Sequence, residues 1–168
     1  MTDEERFILD LEGYLVIEEV LSAAEVAELN RIADTHGDSA ERRKAWDAFY
    51  YDVKAHAAAE EETFYSKIMA KPDGQDDARH SVAEHKEMDD IMEELNSMEM
   101  DSPGWLSRFK TLKHDYEHHM EEEEEDIFST AREVLSDDAD GRIGERFLDR
   151  KAKERELVDE KAEETLEE

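Results

Sequence analysis
The chain has 168 residues, 42% of them charged and 38% apolar, with a formal net charge of -29 and no cysteine. Disulfide frameworks, thiolate zinc sites and thiol chemistry are thereby excluded. So acidic a surface repels phosphate backbones and anionic lipid, so neither nucleic acid nor membrane is expected as a partner; it attracts cations, or serves only as a solvated face tuned for high salt.

Six glycines and two prolines leave few breakers for long helices. Residues 13–17, Gly-Tyr-Leu-Val-Ile, read as a short strand or extended lead-in. Ser22 reads as an N-cap with Glu25 at the third helical position, and Val26, Leu29 and Ala33 follow at helical spacing until His36-Gly37. A second helix is expected from Ser39 to about Ala70, stopped by Pro72-Asp73-Gly74, and a third from about Asp76 to Asn96. Ser102-Pro103 reads as N-cap and first turn of a fourth, continuing to about Leu135. Asp138-Ala139-Asp140-Gly141 has the middle of a calcium loop, but the final ligand position falls on Phe147 instead of glutamate, so it reads as a turn. From about Asp138 to Leu166 the chain is dense in Lys, Arg and Glu, a charged C-terminal helix or partly docked tail. The expected fold is all-α, an up-down four-helix bundle. No apolar run approaches the ~18 residues that span a bilayer, and residues 1–6 are acidic, unlike a signal peptide. A cytoplasmic location is expected.

The histidines carry the chemistry. In the fourth helix the inward stripe reads Phe109, Leu112, Tyr116, His119, Glu123, Ile127; in the second it reads Phe49, Val53, His56, Glu60, Phe64. Side chains at i and i+4 stack on one helix face, so each His/Glu pair can reach one ion. His85 lies in line with Val82, Met88 and Met92 on the third helix. The two pairs form a gap-free internal repeat, residues 56–66 against 119–129. A buried carboxylate costs several kcal/mol unless compensated, and no Lys or Arg occupies these stripes. A metal ion is the natural compensation: imidazole with carboxylate and no sulfur favours iron or manganese, with zinc also admitted. Two carboxylates facing each other across a bundle can bridge two ions. The alternative is a metal-free polar core. His36, His80, His114 and His118 lie off the stripes and are expected at the surface, as is the glutamate run 121–125 apart from Glu123. Met88, Met92, Met98 and Met100 read as core filler.

At these residues, from about 38 to 150, the sequence resembles the hemerythrin-like (HHE cation-binding) family: His-x-x-x-Glu, a single His, then His-x-x-x-Glu, with Phe64-Tyr65 and Ile127-Phe128 after the two motifs. The resemblance implies a four-helix bundle around two iron ions, with His56, His85 and His119 as nitrogen ligands and Glu60 and Glu123 as bridging carboxylates. It also implies a further histidine roughly 35 residues before His56, where this chain reads Val-Leu-Ser-Ala-Ala-Glu over 20–25. Residues 7–36 instead resemble the opening of a phytanoyl-CoA dioxygenase-like protein, without that family's iron motif. The first helix is therefore expected to be remodelled, with Glu25 as the nearest substitute ligand. The layout is a lead-in and remodelled first helix at 1–37, bundle helices at 38–136 and a charged helix at 137–168.

Three functions fit. The first is a binding module taking up oxygen or nitric oxide as sensor, carrier or scavenger; the second is a ferroxidase or peroxide-consuming enzyme on the same irons. The third is a metal-free helical interaction module. The sequence does not fix an oligomeric state.

Overall fold
A computed structural model describes residues 7–9, 15–17, 23–135 and 143–167. A short antiparallel pair, β1 (Phe7–Leu9) with β2 (Leu15–Ile17), sets Phe7 opposite Ile17. The rest is helical, as the sparse breakers imply: α1 (Ala23–Asp34), α2 (Ala40–Glu60), α3 (Ser66–Met69), α4 (Gln75–Ser97), α5 (Pro103–Glu122), α6 (Phe128–Val134) and α7 (Ile143–Glu167). The expected caps of the second and fourth helices form. Ser39 Oγ accepts from the Arg42 amide at 3.1 Å, and Ser102 Oγ accepts from the Trp105 amide at 3.2 Å with Pro103 in the first turn. Ser22 and the turn at 138–141 lie outside the described residues.

Two of the rods are continuous across a change of pitch. Between α2 and α3 the helix widens to π geometry over Glu61–Tyr65, and between α5 and α6 over Glu123–Ile127. At each entrance one amide is shared between two carbonyls: Glu61 N–H between Ala57 and Ala58, and Glu123 N–H between His119 and Met120. Such widenings concentrate at functional sites, and both fall at the repeated His-x-x-x-Glu motif.

The core is split in two. One cluster joins Leu29, Ile32, Trp46, Phe49, Leu95, Trp105 and Phe109 and reaches Val53, Met88 and Tyr116; the other joins Phe64, Tyr65, Ile68, Ala78, Ile127 and Leu135. Between them, along three helices, lies the layer of buried polar side chains. Burying each large apolar side chain contributes ~1.5–3 kcal/mol, so the polar layer is held from both ends. Trp105 stacks on Phe109 with centroids 5.4 Å apart and meets Trp46 edge-on at 5.5 Å. The indole N–H groups are satisfied too: Trp46 donates to Asn96 Oδ1 at 2.7 Å and Trp105 to the Leu95 carbonyl at 3.1 Å. Arg42, buried, donates to the Thr35 carbonyl and, at 3.3 Å, to the Met100 carbonyl, pinning two loops to the same end. Gly37 supplies the positive φ of +61° that ends the α1 connection.

The fourth flank of the bundle is divided. α1 spans only 12 residues and packs at the tryptophan end, against α2 and α5. Beside the polar layer, the neighbour of α2 is α7, whose Phe147 and Lys151 are buried there. The charged helix is therefore a structural wall of the site.

Candidate metal centre
Glu60, His85, His119 and Glu123 are all buried, and each offers a ligand atom within 4.8 Å of the others. The arrangement follows from helix periodicity. His119 and Glu123 occupy adjacent turns of one face, Glu60 comes from the facing rod, and His85 enters from α4. The imidazole nitrogens His85 Nε2 and His119 Nε2 lie 2.9 Å apart, with Glu60 Oε2 3.5 Å from the first and Glu123 Oε1 3.7 Å from the second.

The outer ring nitrogens determine what the inner ones present. His85 Nδ1 donates to Glu61 Oε1 at 3.1 Å and His119 Nδ1 donates to Glu84 Oε2 at 2.8 Å. A carboxylate behind an imidazole fixes the tautomer with the hydrogen on that side, leaving the Nε2 lone pair free for a cation. Two such lone pairs 2.9 Å apart repel unless a cation lies with them. Burial, reinforced by neighbouring His85, lowers His119 to about 4, so it is neutral near pH 7. Burial, and then the charge of Glu60, pushes the Glu123 carboxyl well above its usual range. Although burial also disfavours the Glu60 carboxylate, the imidazoles, His56 first, outweigh it and hold Glu60 below its usual range.

Glu123 carries the clearest sign of a missing partner. Its Oε1 accepts from the Tyr65 hydroxyl, while Oε2 is buried with no hydrogen-bond partner among the described residues. Leaving a buried carboxylate oxygen unmatched is costly, and a cation bound among these side chains would match it. The donor set suits a borderline cation such as iron, manganese or zinc. These residues fit a bound metal.

His56 is placed differently. Its Nε2 lies 3.0 Å from Glu60 Oε1, its Nδ1 3.1 Å from Lys151 Nζ, and the Phe147 ring stands against it with centroids 5.2 Å apart. Because an ammonium only donates, Nδ1 is an acceptor and the His56 proton sits on Nε2, directed at Glu60. The absence of Lys and Arg from the inward stripes thus does not leave the site without a cationic side chain: α7 brings one from 95 residues away. Glu25 lies on α1, but its side chain is outside the described residues.

Sequence reasoning missed Tyr65, Glu61, Glu84, Phe147 and Lys151. Tyr65 is off the regular stripe, and the π widening turns Thr63, Phe64 and Tyr65 all inward. Of the other tyrosines, Tyr50 donates to Glu93 at the surface and Tyr116 packs on Phe49. His36, His80, His114 and His118 are exposed, and of the glutamates at 121–125 Glu123 alone is buried. Met88 and Met92 are core, with Met98 and Met100 packed against it. A cavity of about 580 Å³ adjoins the cluster; Val53, Met88, Met92, Tyr116 and Met120 give it apolar walls. Among the described residues no helix is long and apolar enough to cross a membrane.

Comparison with known proteins agrees with this architecture. A crystal structure of a hemerythrin HHE cation binding domain-containing protein from Mycobacterium kansasii shares the fold, with a TM-score of 0.69 at 22% identity over 79% of this chain and 81% of that one. A DNA nickase from Nostoc sp. is 28% identical over 104 residues, 62% of this chain, and the chain spans only 29% of that protein's length. The hemerythrin HHE cation binding domain model matches residues 16–131, which takes in α1 and ends before α7. Most of the segment that resembles a phytanoyl-CoA dioxygenase opening thus falls inside this domain. With well over half of its length in that match, the chain belongs to the hemerythrin HHE cation binding domain family.

Proposed function
We propose that the chain is a non-haem di-iron protein of hemerythrin type that binds or senses oxygen, nitric oxide or peroxide. The observation that carries this reading is the buried convergence of Glu60, His85, His119 and Glu123, with one Glu123 oxygen lacking a partner among the described residues. Glu60, Glu123, His85 and His119 would hold the metal, with His56 at its edge; manganese and zinc are the other candidates. Iron there would supply a redox couple and an open position for a small ligand.

The chain's own residues do the rest. Glu61 and Glu84 fix the rings of His85 and His119, and Tyr65 steadies Glu123 while holding a proton at its hydroxyl. The cavity beside the cluster, walled in part by Met88, Met92 and Met120, leaves room for a small ligand. One metal position is expected to be weaker than the other, because the first helix contributes no histidine and Lys151 places positive charge beside His56. A second reading, a ferroxidase or peroxide-consuming enzyme, is favoured by the Tyr65 proton next to Glu123. The nickase relative adds no nucleic-acid role, since a chain of net charge -29 repels phosphates. No membrane partner is proposed, and the charge and composition suit the cytoplasm.

The test is the visible spectrum of anaerobically iron-loaded protein after oxygen is admitted. A band that persists and reverses under argon supports binding, whereas one that decays with peroxide consumption supports the enzyme. Absence of any iron-dependent band would overturn both.

A further inference from the structure
A second His/Glu cluster lies on the surface, one residue out of phase with the buried one. His80-x-x-x-Glu84 on α4 and His118-x-x-x-Glu122 on α5 each stack an imidazole and a carboxylate on one helix face. The packing of α4 on α5 brings the two pairs together. His80 Nε2 lies 3.2 Å from Glu122 Oε2 and 3.5 Å from Glu84 Oε1, while Glu122 Oε1 lies 3.6 Å from His118 Nε2. His80, Glu84 and Glu122 each offer an atom within 4.8 Å of the others.

Two features separate this cluster from an ordinary acidic patch. The first is chemical: imidazole nitrogens share it with carboxylates, a set that prefers borderline divalent cations over calcium or magnesium. The second is the arrangement of the oxygens. An oxygen of Glu84 and an oxygen of Glu122 lie 3.5 Å and 3.2 Å from the same ring nitrogen, His80 Nε2, so two carboxylates from different helices converge where one cation could be shared. Glu84 in addition joins this cluster to the buried one, because its other oxygen, Oε2, accepts from His119. The imidazoles are open to solvent, with His80 61% and His118 57% exposed, so an ion can arrive directly from water.

We propose that His80, Glu84 and Glu122, with His118 at the rim, form an exposed site for a borderline divalent cation such as zinc or ferrous iron, joined to the buried centre through Glu84. It is distinct from the buried ligand set and does not depend on that set being filled.

The test is a zinc titration by calorimetry, with bound zinc counted by mass spectrometry, in excess magnesium to occupy oxygen-only patches. The full chain is compared with His80→Ala/His118→Ala and with Glu123→Gln. The double variant should lose one zinc per chain and melt at the wild-type temperature, whereas Glu123→Gln should keep that zinc and lose one from the interior. Substoichiometric cobalt should perturb the His80 and His118 imidazole resonances. If the double variant binds as many zinc ions as wild type with unchanged affinity, or if cobalt leaves those resonances unmoved, the exposed site does not exist. Failure of the buried centre alone would show instead as Glu123→Gln matching wild type while the double variant still loses its ion.

Discussion

His119 makes acid stability of the metal-free protein a direct report on the buried layer. Burial, and then the neighbouring His85, depress it from an ordinary value of 6.5 to about 4. In the unfolded chain the imidazole takes up its proton near pH 6.5, whereas in the folded chain it resists until about pH 4. Its contribution is therefore fully present above pH 6.5 and is lost as pH falls through that window. At ~1.4 kcal/mol per unit, the shift amounts to roughly 3 kcal/mol at pH 4. The side chain is only 4% exposed, so solvent screening removes little of this. The assay is urea unfolding of chelator-treated protein at a series of pH values, followed by the fluorescence of Trp46 and Trp105. His119→Gln cannot titrate, so the wild type should lose about 3 kcal/mol more than the variant between pH 7 and pH 4. Glu60, held low, steepens the acid loss in both proteins; Glu123, held high, opposes it in both. Parallel pH–stability curves for wild type and variant would refute the argument that burial keeps His119 neutral.

Other expectations follow from the surrounding contacts. Tyr65→Phe removes the hydroxyl that donates to Glu123 Oε1 and should lower metal-free stability by about 1–3 kcal/mol, measured by urea midpoint. Phe147→Ala opens a void beside His56 and should cost about 3 kcal/mol or more; an unchanged midpoint would mean that α7 is not docked there. Lys151→Met removes positive charge next to His56 and should tighten the weaker of two iron-binding steps, read by anaerobic titration. At Gly74 a Cβ would sit 2.5 Å from Ile68 Cγ2 and 2.9 Å from the Ile68 carbonyl oxygen, so Gly74→Ala should destabilise by about 1–3 kcal/mol without changing the iron count.

Much of the bundle was legible because its signals are local. Ser39 and Ser102-Pro103 cap helices through contacts three residues away, and the inward stripes of 49–60 and 109–123 follow a single period. The gathering of Glu60, His85, His119 and Glu123 was legible for the same reason: each lies in register with apolar neighbours. Tyr65 escaped because the π widening breaks that period at this very turn. Glu61 and Glu84 escaped because they lie one residue off the stripe, where they look like solvated charges, yet each reaches behind a histidine. Lys151 and Phe147 are contacts across 95 and 91 residues, between a segment of mostly charged residues and α2, and no local pattern announces them. α7 looked like a tail because only one narrow face of it is apolar. That face suffices, since α1 leaves this end of the bundle uncovered.

Iron retention reveals whether His119 and Glu123 hold metal in the buried cluster. Anaerobically loaded protein is desalted in the presence of a weak chelator, which strips exposed sites, and its iron is counted. Wild type and His114→Ala, an exposed histidine outside the buried cluster, should retain about the same iron, with two ions per chain as the expected count. His119→Ala and Glu123→Gln should each lose most of it. Wild-type protein retaining no iron, or His119→Ala retaining as much as His114→Ala, would contradict the assignment.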